Sequence, residues 1–267
     1  MYDKHRRFLS FLLTIVMAIF GLHYHHFRWS DYHPKSSSIS INNSVRLYMA
    51  GRSKWSSIRE LSSSNNHSNK RRQIGRLQDR RRIWPNGLIP FQISPALRPY
   101  RSTIMNAMKQ IEQNTCIRFR QRKSQRDFIQ LMAGDGCHSI VGRMGGRQIV
   151  SLGDGCHDLG SIMHELCHAI GLYHEHMRYD RDHYLQIRWA NIEPEMLEQF
   201  IRIPISEYKP AHRFDYNSIM IYGSKAFSKN GAPTMIPKNR AVTLRESHYK
   251  RSLSQADIIN INAMYGC

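Results

Sequence analysis

Four histidines fall within thirteen residues of the stretch "SIMHELCHAIGLYHEHMRYDRD" (161–182), at His164, His168, His174 and His176, and their spacing constrains the fold more than anything else in the chain. His164 and His168 stand four apart, so on a helix they project from one face, one turn apart, as two imidazoles must to share a metal ion. Glu165 follows the first of them, placed for its carboxylate to act as general base toward a water on the open side of that metal. His174 lies six residues beyond His168, and at about 100° per residue a continuing helix would aim it about 240° away. The helix therefore has to stop. Gly171 sits where a left-handed residue would end it and let the reversed chain bring His174 back as a third ligand. Three neutral imidazoles leave the fourth position of a tetrahedral zinc ion to water, the arrangement of a catalytic site; structural zinc more often takes four protein ligands, usually with cysteine.

The rest of the chain has to accommodate that site. Its 267 residues suffice for one principal domain of roughly 150–200 residues plus an appendage. The formal net charge of +19 raises the question of a polyanionic partner, but the basic excess is spread along the chain. Residues 1–72 carry 12 Lys/Arg against 3 Asp/Glu and residues 73–267 carry 27 against 17. No nucleic-acid-binding motif accompanies them, so no nucleic-acid partner is expected.

The amino terminus reads as a targeting segment. Lys4, Arg6 and Arg7 precede fifteen mostly apolar residues, Phe8 to Leu22, a run that spans only about 22 Å as a helix against a roughly 30 Å hydrocarbon core. A signal peptide over 1–22 is expected, with an uncleaved signal anchor as the alternative and the only route to membrane association. Residues 30–72 are rich in serine and asparagine and too poor in apolar residues to bury a core. They hold glycosylation sequons at Asn42 and Asn66 and close on Lys70, Arg71 and Arg72, which suits a pro-segment over 23–72 ending at a basic cleavage site. From residue 73 the chain reads as an ordinary globular domain. "STIMNAMKQIEQNTC" spaces Ile104, Ala107, Met108 and Ile111 as a helix capped by Ser102 or Thr103. "CIRFRQR", "DFIQLMA" and "RQIVSLG" read as strands of a small sheet, parted by turn-formers between Gly134 and Gly146.

"HELCHAIGLYHEHMRYDRD" resembles the zinc signature of the astacin family of metalloendopeptidases, a branch of the metzincins, and Glu175 directly after His174 is the mark that separates astacins from their relatives. "YNSIMIYG" is similar to the family's Met-turn, with Ile221 where a histidine is usual. The similarity runs from "IWPNGLIPF" at residue 83 through "NTCIRF" and "VGRMGG" to Cys267. It implies an α+β, two-lobed, zincin-like domain over 73–267, with a small sheet and helices in the amino-terminal lobe and a mostly irregular carboxy-terminal lobe ending in a helix. It also implies a secreted, monomeric zymogen that binds one zinc ion through His164, His168 and His174 and cleaves proteins or peptides. In that scheme Glu165 is the general base, Met220 lies beneath the metal, and Tyr222 is an additional ligand that leaves the metal to stabilise the oxyanion. The resemblance pairs Cys116 with Cys267 and Cys137 with Cys156, from the three connectivities that four cysteines allow. Cys167 is left as a buried free thiol. His176 is expected to be structural, and His138, His157, His183, His212 and His248 to lie in loops or at the surface. A catalytically weak relative acting as a basic extracellular binding module is the alternative reading.

One departure concerns latency. Astacin pro-segments commonly place an aspartate on the zinc, and the nearest stretch here, "YMAGRS", has Arg52 at that place; a guanidinium cannot ligate zinc. Latency then falls to steric cover or to another residue such as His67. Maturation is expected near Arg72, which leaves about eleven residues before Trp84 and lets the new α-amino group reach Glu175 through water, each compensating the other's buried charge.

Overall fold

The computed structural model describes residues 76–77 and 79–267. The expected signal segment, the pro-segment with Asn42, Asn66, Arg52 and His67, and the cleavage site at Arg72 lie outside the described residues. Among the described residues no helix is long and apolar enough to cross a membrane.

A five-stranded sheet organises the first half. Its strands are β2 (Leu88–Ile93), β3 (Arg118–Gln121), β4 (Phe128–Met132), β5 (Cys137–Ser139) and β6 (Arg147–Leu152), following the short β1 (Arg76–Leu77), which is not part of it. The order is β3-β2-β4-β6-β5, parallel throughout except for β5, which runs antiparallel to β6 at the edge. Helix α1 (Arg101–Asn114) buries Ile104, Ala107, Met108 and Ile111, the face that the periodicity predicts. Its start differs from the expectation. The helix begins at Arg101 after Tyr100, and neither Ser102 nor Thr103 caps it. A 3₁₀ turn over Pro95–Tyr100 already delivers the chain in a helical conformation, so a side-chain cap is not what starts α1.

Helix α2 (Leu159–Ile170) begins at the Asp158 cap, which accepts from the Ser161 amide, and is buried from Gly160 through Ile170. Burial on all sides suits its apolar composition. A Cβ at Gly160 would stand 2.0 Å from the Ser247 carbonyl oxygen, so only glycine allows the loop over 247–250 to lie against the first turn. The helix ends at Gly171, with φ 134° and ψ 9°. That conformation lies further from the ordinary range than the left-handed residue the sequence suggests, and only glycine adopts it readily.

The carboxy-terminal half has little regular structure. It holds the two-residue pairing of β1 with β8 (Tyr208–Lys209), the three-residue pairing of β7 (Leu185–Ile187) with β9 (Met235–Pro237), and the final helix α3 (Gln255–Tyr265). Its own apolar cluster of Leu185, Ile192, Phe200, Phe214, Ile221, Met235 and Leu244 is separate from the larger core formed by the sheet, α1, α2 and α3. Cys116 is bonded to Cys267 and Cys137 to Cys156, while Cys167 is free and buried on α2. The fold is thus α+β.

Gly171 offers a direct test of this account. A Cβ there would meet Leu77 Cδ1 at 2.7 Å and Met264 Sδ at 2.8 Å, in a backbone conformation already costly for other residues. Gly171→Ala should lower the stability read by denaturant unfolding by about 1–3 kcal/mol.

Candidate functional site

Helix α2 carries His164 and His168 on one face, their ring centroids 4.7 Å apart. The turn at Gly171 folds the following segment back, and His174 Nε2 comes to 3.1 Å from His164 Nε2 and 2.9 Å from His168 Nε2. The three rings converge through the nitrogens that matter for ligation. His164 Nδ1 lies 2.8 Å from the Ile219 carbonyl oxygen and His168 Nδ1 lies 2.8 Å from that of Leu172. A carbonyl only accepts, so both Nδ1 atoms carry the proton and both Nε2 atoms present lone pairs to the centre. Two lone pairs turned toward a third ring nitrogen make a ready set of metal ligands. The donor set, three neutral imidazoles each fixed by its other nitrogen or its chain reversal, therefore fits a divalent metal of the zinc type. Burial holds the His164 imidazole down to about 4 and the His168 imidazole to about 3, and pushes His174 well below its ordinary value, so all three are neutral at pH 7.

Glu165 is buried beside them, and its Oε2 has no hydrogen-bond partner. An orphaned buried carboxylate oxygen is costly, and burial lifts the Glu165 carboxyl to about 8. Tyr222 stands over the cluster, with its ring centroid 4.3 Å from that of His174 and 6.1 Å from that of His164. Burial raises its phenol above the usual value. Met220 is buried in the main core. Its carbonyl accepts from the Glu175 amide at 3.0 Å, which ties the segment carrying His174 to the turn carrying Tyr222.

Glu175 is buried, and its Oε1 accepts from the Asp215 amide at 2.8 Å and from Arg178 Nη1 at 3.0 Å. Arg178 also makes a two-pronged bond to Asp180 at 2.9 Å on each prong, and the pair is buried well enough to hold the loop after His174 rigid. His176 is fully buried and its Nε2 donates to the Gln199 carbonyl at 2.8 Å, leaving Nδ1 without a partner. His183, His212 and His248 are exposed, as is His138, which belongs to β5 and not to a loop. His157 lies in the loop before α2, half-buried, stacked on Tyr100 at 3.5 Å, with Nε2 3.1 Å from the Leu152 carbonyl.

Asp257 and Lys250 are absent from the sequence reading. Asp257 accepts from Ser218 Oγ at 2.6 Å and from the Ile219 amide at 2.8 Å, and Lys250 Nζ donates to the carbonyls of Ser218 and Ile221. The Ser254-x-x-Asp257 pattern is a legible capping box, and it forms here; nothing in it announces the reach to Ser218. An open pocket of about 490 Å³ lined by residues such as Leu185, Ile187 and Trp189 includes none of the three histidines.

Comparison with known proteins agrees in one direction. The family profile of the astacin peptidases matches residues 76–266. Zinc metalloproteinase nas-7 of Caenorhabditis elegans is 43% identical over 189 residues, which is 70% of this chain and 49% of that protein; the chain spans about half the length of this relative. Astacin-like metalloprotease toxin 1 of Loxosceles intermedia is 42% identical over 189 residues, 69% of this chain and 72% of the toxin. Among solved structures, high choriolytic enzyme 1, a hatching-enzyme zinc-protease from the medaka fish Oryzias latipes, superposes with a TM-score of 0.62 at 36% identity, covering 69% of this chain and 93% of that one.

A metal that binds only the folded state stabilises it by mass action. Zinc at a free concentration of about 1,000 times its dissociation constant should add about 4 kcal/mol to the unfolding free energy. Calorimetry with and without chelator reads this gain, and His174→Ala should abolish most of it.

Proposed function

Because this chain belongs to the astacin family, we propose that His164, His168 and His174 hold one zinc ion and that the domain hydrolyses peptide bonds within protein or peptide substrates. The observation that carries the reading is the convergence of three histidine Nε2 atoms beside the unpartnered carboxylate oxygen of Glu165. Zinc, when bound, polarises a carbonyl and acidifies water. The remaining chemistry is assigned to the protein's own groups.

Glu165 is the general base. Its free oxygen takes a proton from the attacking water and returns it to the leaving amine, so one carboxylate serves both halves of the reaction. Tyr222 supplies a hydroxyl above His174 that donates a hydrogen bond to the oxyanion of the tetrahedral intermediate, a contact made mainly in the transition state; in the resting state the same oxygen is a further candidate ligand. Met220, apolar and buried, forms the floor behind the three imidazoles. The Ile219 and Leu172 carbonyls keep His164 and His168 in the tautomer that presents Nε2.

The protein is read as secreted, monomeric and made as a zymogen. Glu175 and Asp180 share the single guanidinium of Arg178, and burial still lifts the Glu175 carboxyl to about 8, so its carboxylate is short of a compensating cation. An α-amino group released by cleavage near Arg72 would neutralise it. The burial of Leu77 and its pairing with Tyr208 support a mature chain that begins before residue 76.

Glu165→Gln should retain zinc and lose at least about a hundredfold in kcat, and Tyr222→Phe should lower kcat and kcat/KM together with KM nearly unchanged. A Glu165→Gln protein that cleaves peptides at the normal rate would falsify the base assignment. Processing is checked separately, by mass spectrometry of the secreted protein. The expected mature terminus follows Arg72; one following Arg82 would remove β1 and overturn the activation scheme.

A further inference from the structure

Tyr222 leaves a turn over Ser218–Ile221 whose four residues are all buried. Every backbone polar group there needs a partner within the protein, and the partners are specific. The Ile219 amide donates to Asp257 and the Met220 amide to Ser218 Oγ at 3.0 Å. The Ile219 carbonyl accepts from His164 and the Met220 carbonyl from the Glu175 amide. The carbonyls at the two ends, Ser218 and Ile221, both accept from Lys250 Nζ, at 2.5 and 3.1 Å.

The backbone around Lys250 is itself held on two sides. Ser247 and Lys250 lie so close to the start of α2 that a Cβ at Gly160 would stand 2.0 Å from the Ser247 carbonyl oxygen and 2.6 Å from that of Lys250. Glu246, four residues earlier, lies against Gly223, where a Cβ would stand 2.3 Å from its Oε1. The segment 246–250 thus meets the chain immediately before and immediately after Tyr222. It refers both points to the helix that carries His164 and His168.

We propose that Lys250 is a positioning residue for Tyr222: by joining the carbonyls at the two ends of the 218–221 turn, its ammonium fixes the direction in which Tyr222 leaves that turn and so the place of its hydroxyl beside the histidines. The inference rests on the reading of Tyr222 as the oxyanion donor. An ammonium suits the task because it offers three donors on a flexible stem and can serve two carbonyls at once. A thioether of similar length fills the space and donates nothing.

The test is a double-mutant cycle in the zinc-loaded protein. Lys250→Met should lower kcat at least about tenfold with KM within about twofold and zinc content unchanged, and Lys250→Arg, which keeps the donors, should restore most of the loss. In the Tyr222→Phe background the same Lys250→Met change should cost less than about twofold, because the hydroxyl it positions is already gone. A second readout needs no activity: in the metal-free protein Lys250→Met should speed amide hydrogen exchange over 217–223 while leaving α2 unchanged. Should Lys250→Met not fold, Lys250→Gln carries the same expectations in weaker form. Full, additive loss in the Tyr222→Phe background makes Lys250 a general structural residue and overturns the proposal. If Tyr222→Phe slows the enzyme and Lys250→Met does not, the Lys250 assignment alone falls. If Tyr222→Phe has no effect on kcat, the oxyanion-donor reading falls first and takes this inference with it.

Discussion

Everything in the centre depends on where two imidazole protons sit. The Ile219 and Leu172 carbonyls accept from Nδ1 of His164 and His168, which forces both Nε2 lone pairs toward His174. His174 Nε2 lies 3.1 and 2.9 Å from those two nitrogens, so the three rings converge where one divalent cation can take all of them as ligands. The protein holds this arrangement because the groups that create it are locked elsewhere: α2 is buried on all sides, and the two carbonyls belong to a tight helix stop and to a turn braced from the last helix.

The second lobe acts as a brace for that cluster. Asp257 caps α3 and holds the Ser218–Ile219 backbone; the same turn presents the Ile219 carbonyl to His164 and sends Tyr222 out over His174. The loop after His174 is stiffened independently by Arg178 between Glu175 and Asp180, and by Arg181, whose Nη1 donates to the His176 and Phe200 carbonyls. Charge-assisted bonds stand in for regular secondary structure here and hold the loop after His174 against its neighbours. The Cys116–Cys267 bond fastens the end of α3 to the start of β3, so the brace is tied covalently to the sheet side of the molecule.

Much of this is legible residue by residue. The four-residue step from His164 to His168, the glycine at 171 and the return at His174 can be read because helical geometry is local and periodic. Ile104, Ala107, Met108 and Ile111 mark the buried face of α1 for the same reason, whereas the 3₁₀ turn before it leaves no periodic signal, and the helix starts ahead of the expected cap. His157 lies in a loop, as expected, but its stacking on Tyr100, a residue fifty-seven positions away, is something no local pattern encodes.

Residue type and spacing alone dictate a helix bearing two imidazoles on one face, a forced stop after it, and a third imidazole returned to meet them. Long-range packing settles the rest: which nitrogen of each ring faces the centre, which carbonyls hold it there, and that Asp257 and Lys250 brace the turn below Tyr222. Backbone carbonyls are the same at every residue, so no sequence can say which of them will accept a proton from a ring fifty-five residues away. That choice is made only when the two lobes fold against each other.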